Sequence, residues 1–137
     1  MTRILASVAV LVSAGVHLYL WFHGFKDLHV VGPAFIVNAV AGVAIAVLLL
    51  ASRHWIGPFL AAGFGASTLG AFVLATTVGL FGLHERWIGW SVWTGAISEA
   101  VAIVTGLVLL ARAYGDGSLG SRGELEHRSP LRRAHLH

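Results

Sequence analysis

Four long apolar stretches, separated by short polar joins, set the rhythm of this chain. They run from about Ile4 to Phe22, Val30 to Ala51, Pro58 to Leu83 and Trp87 to Ala111. Crossing a hydrocarbon core of roughly 30 Å takes about 20 mostly apolar residues, so each stretch is long enough to span a bilayer. The joins read HGFKDLH, SRHWIG and HERW. Each amounts to a turn, which makes consecutive helices antiparallel neighbours and predicts an all-α, up-down-up-down four-helix bundle. Helices follow because backbone polar groups in lipid must be satisfied within the segment. The first stretch continues past Ala14 into an aromatic cluster. That is longer than the roughly 7–15 apolar residues of a secretory signal, so it reads as a span.

The pattern also hints at duplication. Shifted by about 61 positions, Asn38-Ala-Val-Ala falls on Glu99-Ala-Val-Ala, Val47-Leu-Leu falls on Val108-Leu-Leu, and His23 falls on His84. A repeat of this kind is parallel, its pseudo-two-fold axis along the membrane normal. Small residues recur four apart as Ala9/Ser13, Gly42/Ala46, Ala66/Gly70 and Ala102/Gly106. Such stripes let helices approach closely where lipid offers no hydrophobic drive to associate. Pro33 sits in the first turn of the second span, where a missing N–H costs little. Residues 1–113 therefore form the transmembrane domain. From 114 to 137 Gly, Ser, Arg and His prevail without apolar period, the composition of a disordered basic tail.

Composition agrees with a membrane protein. Of 137 residues 57% are hydrophobic and only 11% charged, and the mean hydropathy is +0.82; soluble domains carry about 25% charged residues. Cysteine is absent, which excludes disulfides, iron–sulfur clusters and thiolate zinc sites. A net charge of +3 raises nucleic acid as a partner. The arginines, however, flank the spans and populate the tail in place of one stripe, so the partner is the lipid bilayer, with other membrane proteins or a second copy as further candidates. Arg3, Arg53, Arg112, Arg122, Arg128, Arg132 and Arg133 fall on one side, and only Lys26 and Arg86 on the other. The positive-inside rule then places both termini in the cytoplasm. Tyr19, Trp21, Trp87, Trp90 and Trp93 fit an aromatic belt at the outer face, with Trp55 at the inner one.

The candidate chemistry lies in groups that hydrocarbon rejects. Glu99 falls deep within the fourth span; an ionised side chain there costs roughly 2.5–3.5 kcal/mol on insertion scales, so it should face the bundle and find a partner. Asn38, His17 (with Ser13 one turn deeper), Thr76 and Thr77 supply polar groups from the other three spans. Together they outline a pocket in the outer half of the bundle, with His17 and Glu99 able to share or relay a proton. Counted from the span ends, His17 lies about 7 Å deep, Asn38 about 12 Å and Glu99 about 18 Å. The expectation is a polar ladder His17–Asn38–Glu99, with no direct contact between its ends. His23 and His84 are weaker candidates for a haem or divalent metal at the interface, since imidazole suits either.

His17-Leu-Tyr-Leu-Trp21, Val31-Gly-Pro-Ala-Phe35 followed by Asn38, and Gly79-Leu-Phe-Gly-Leu-His-Glu85 together resemble a group of small, uncharacterised four-span membrane proteins of high-GC bacteria. The layout is also similar to DoxX-like proteins. The resemblance covers about residues 10–110 and implies a bacterial inner membrane and an up-down four-helix fold, with no established activity. Small multidrug transporters also have four spans and a membrane-embedded Glu, but theirs lies in the first span. Three functions fit these features. The first is an accessory or interaction subunit, or a binder of a small hydrophobic ligand. The second is a haem- or metal-linked redox protein, and the third a proton-coupled transporter using Glu99. No catalytic motif appears, which weighs against an enzyme.

Overall fold

The computed structural model describes residues 1–80, 86 and 88–116 in full, and 117–133 as backbone. Among these are four helices: α1 Thr2–Leu20, α2 Val31–Ala51, α3 Ile56–Thr77 and α4 Trp90–Arg133. All four are long and apolar enough to cross a membrane, over Thr2–Phe25, Val31–Ala51, Ile56–Thr77 and Trp90–Asp116. The protein is an all-α, multi-pass membrane protein. The side chains of the expected tail from Gly117 onward, and residues 134–137 altogether, lie outside the described residues.

Local sequence explains where each helix stops. α1 continues as one wide turn over Trp21–Phe25, and its regularity breaks at His23 and at Gly24, with φ of 129° at the latter. Glycine adopts that conformation without a Cβ clash. The chain then folds back so closely that a Cβ on Gly32 would lie 2.7 Å from the Lys26 carbonyl oxygen. Pro58, like Pro33, occupies the first turn of its helix, where no intrahelical N–H is needed. α3 ends at Thr77, earlier than the apolar run suggests, and Gly79 follows with φ of 85°. α4 starts at Trp90, just after Gly89 at φ 99°, not at Trp87. Residues 81–85 and 87 lie between these ends, outside the described residues.

The surface is inverted relative to a water-soluble bundle. Val37, Val40, Val43, Val47, Ile97 and Val104 point outward, whereas Glu99 and Ser13 are buried, at 3% and 0% exposure. That distribution suits hydrocarbon as the surrounding solvent. In the half of the bundle that carries both termini, Ala6, Val10, Ile45, Leu49, Ala61 and Phe64 form a dry core. Glycines set the helix spacing around it. A Cβ on Gly42 would lie 2.7 Å from Ala14 Cβ, and one on Gly106 2.8 Å from the Pro58 carbonyl oxygen. Two of the four expected stripes are seen in these contacts. The Ala66/Gly70 stripe is not among them: both residues face outward, and α3 instead approaches α4 through Gly65.

The helices do not pack evenly. α1 lies against both α2 and α4, and α3 against α4, but the α2–α3 seam is much thinner. Under the pseudo-two-fold relation suggested by the repeat, α1–α4 and α2–α3 would be equivalent. One seam is closed and its counterpart is largely open.

A polar-floored cavity in the half away from the termini

Beyond the dry core, all four helices wall a cavity of about 430 Å³. Its apolar wall includes Phe25, Phe35, Phe72, Leu20 and Ile88, and its polar side chains are His17, Asn38, Ser67, Thr68, Ser91 and Glu99. Among the described residues no lysine or arginine lines it. The aromatic wall is ordered by stacking of Phe25 on Phe35 at 5.1 Å and by an edge contact of Phe35 with His17 at 5.0 Å.

His17 and Glu99 approach directly, Nε2 to Oε1 at 3.9 Å. That is ion-pair range but longer than a hydrogen bond. The expected separation of these two residues is thereby overturned, for a geometric reason. The helical path of α1 breaks at His23 and Gly24, which leaves His17 about as deep as expected. α4 begins at Trp90, so Glu99 lies nine residues in, about 14 Å. That late start brings Glu99 toward the level of His17.

Ser13 organises the pair. It is fully buried, its hydroxyl donates to Glu99 Oε1 at 3.3 Å, and its carbonyl oxygen receives His17 Nδ1–H at 2.8 Å. A carbonyl can only accept, so the proton of a neutral His17 ring sits on Nδ1 and its lone pair on Nε2, toward Glu99. Asn38 is not a rung between the two. Its Nδ2 donates to Thr68 Oγ1 at 2.9 Å, across the thin α2–α3 seam. Thr68 in turn donates to the Phe64 carbonyl oxygen at 2.7 Å. A hydroxyl has one proton, so Thr68 must accept from Asn38, and the amide orientation is settled. Asn38 Oδ1 is left buried without a hydrogen-bond partner.

Thr76 and Thr77 are not brought to the cavity. Their hydroxyls donate to the Val73 carbonyl oxygen of their own helix, at 2.9 and 2.8 Å. Thr68 and Ser67, two to three turns deeper on α3, take the place expected for them. His23 donates Nδ1–H to the Tyr19 carbonyl oxygen at 2.7 Å and stacks on the Tyr19 ring. His84, its expected companion in a metal or haem site, lies outside the described residues. Among the described residues no three His, Cys, Asp or Glu side chains are grouped to hold a metal ion. At the opposite end, Arg3 donates to the carbonyl oxygens of Leu49 and Ser52 at 3.1 and 2.8 Å. Arg112 reaches Thr2 Oγ1 at 3.1 Å.

No protein-family model, curated protein or solved structure matches the chain. The reading of function therefore rests on the residues and their geometry.

Proposed function

We propose that this protein binds a small hydrophobic molecule in the cavity, in a bacterial inner membrane, with both termini cytoplasmic and the cavity in the outer half. One observation carries the reading: polar groups from all four helices line a cavity that is otherwise apolar. Small-molecule sites are typically concavities of about 300–1,000 Å³, mostly apolar, with a few polar groups that fix orientation. The thin α2–α3 seam supports entry from the lipid side. A bundle whose only task was to pack would close that seam as it closes α1–α4.

The test is saturable binding of a neutral, environment-sensitive apolar dye to the detergent-purified chain. Ala71→Trp and Ala96→Phe each place bulk on a different wall of the cavity. Monodisperse helical protein that has lost dye binding in both variants is the expected result. Unsaturable dye uptake, or uptake unchanged in both filled variants, would overturn the reading.

A second reading, proton-coupled transport, draws on the approach of His17 to Glu99. It requires that vesicles containing the native chain accumulate substrate under a pH gradient and that Glu99→Gln vesicles do not. Gradient-independent leakage of equal size in both would dispose of it.

A further inference from the structure

The hydrogen-bond directions in the cavity carry the reading one step further, to the chemistry of the ligand. Three hydrogens near the polar floor are already committed. Ser13 gives its hydroxyl proton to Glu99, Thr68 gives its own to Phe64, and His17 gives Nδ1–H to Ser13. Ser67 likewise donates to the Gly63 carbonyl oxygen at 2.7 Å. The Ser91 hydroxyl and the second Nδ2–H of Asn38 are further donors in the lining; the acceptors beside them are the buried Asn38 Oδ1, His17 Nε2 with its lone pair, and the Glu99 carboxyl group. With Glu99 ionised, its carboxylate and His17 Nε2, two acceptors 3.9 Å apart, do not bond each other. A buried acceptor without a donor is costly, and an unpaired carboxylate more so.

We propose that the cavity is built for a lipophilic primary amine, whose ammonium group donates to His17 and Glu99 while its apolar body lies among the phenylalanines. This rests on the cavity being a ligand site at all. An ammonium group carries three donors and no acceptor, which matches His17 Nε2 and the Glu99 carboxylate in sign. Its charge supplies a cation for Glu99, since among the described residues no lysine or arginine lines the cavity. Aromatic faces such as Phe35 favour a cation further. A carboxylate ligand meets acceptors only, and a quaternary ammonium brings charge without donors.

The experiment is displacement of the apolar dye by four probes that share one apolar body: 1-aminoadamantane, its N-trimethyl derivative, 1-adamantanol and 1-adamantanecarboxylate. The amine is expected to displace dye at least about tenfold more tightly than the trimethyl compound, because charge-assisted hydrogen bonds are the strong ones. The carboxylate is expected to be the weakest. Glu99→Gln should weaken the amine by about tenfold or more while leaving adamantanol nearly unchanged, since it removes charge and not shape. If dye binds but the trimethyl compound or the carboxylate matches the amine, or if Glu99→Gln leaves the amine unaffected, the donor chemistry is wrong and the pocket stands. If dye does not bind saturably, the pocket reading itself fails. Displacement by phosphatidylethanolamine micelles as well as by the free amine would identify a lipid headgroup as the source of the same ammonium chemistry. Displacement by the free amine alone would identify a lipid-free ligand.

Discussion

Ser13 shows how one small residue can hold a polar site together inside a membrane. It is the donor to Glu99, and its carbonyl sets which ring nitrogen of His17 carries the proton. Ser13→Ala removes the hydroxyl and keeps the carbonyl. Leaving the buried Glu99 oxygen without its donor is expected to destabilise the fold by about 1–3 kcal/mol. Thermal unfolding in detergent measures this, and a double-mutant cycle with Glu99→Gln should show non-additivity. Fully additive losses would mean that Ser13 acts through packing alone. At this scale the sequence was informative wherever hydrocarbon makes a residue type expensive. Glu99, His17 and Asn38 stand out in apolar spans, and all three line the cavity. Threonine is different, because in a helix it can satisfy itself on a carbonyl three or four residues back. Thr76 and Thr77 do so and face away from the site, while Thr68 does so and still accepts from Asn38. Nothing in residue type separates the two cases.

The helices as elements were readable from apolar run length, but their relative heights were not. Height depends on where a helix ends, and apolarity does not mark the end. Leu80 is as apolar as Leu74, yet α3 stops at Thr77. The late start of α4 at Trp90 brings Glu99 toward the level of His17. Contact between elements depends on positions without side chains. A Cβ at Gly65 would lie 2.6 Å from the Glu99 carbonyl oxygen, which is backbone and cannot swing aside. Gly65→Ala must then push α3 off α4 beside the site. The expected cost is about 1–3 kcal/mol of overpacking, together with weakened dye binding. An unchanged melting temperature would show that the seam yields freely. Arg3 works at the other end of the bundle. Read from the sequence it marks orientation, but in the structure it also caps α2 through the carbonyls of Leu49 and Ser52. A helix C-terminus leaves carbonyls unpaired and favours a cation. Arg3→Gln is expected to lower stability by about 1 kcal/mol, with Arg3→Lys in between, read by the same unfolding assay.

For the molecule as a whole, the proposed ligand chemistry depends on which leaflet holds the cavity. The helices fix only that Thr2, the Ser52 turn and Arg112 share one end, and that the cavity lies toward the other. The direction comes from charge. Arg3, Arg53 and Arg112 lie at the terminal end, against Lys26 and Arg86 at the other. Short, arginine-rich joins are retained in the cytoplasm. The chain contains no cysteine, so single cysteines introduced at Asp27, Arg53 and Tyr114 can be read one at a time in intact cells. An impermeant maleimide is expected to label the Asp27 variant, and to label the Arg53 and Tyr114 variants only after the membrane is opened. The Arg53 variant also removes one of the three arginines. If the orientation is set by their sum, that variant should show a minor inverted fraction, while the Tyr114 variant, which keeps all three, should not. Labelling of Tyr114→Cys in intact cells would reverse the topology. It would turn the cavity toward the cytoplasmic leaflet, so that the amine would have to be sought among intracellular molecules.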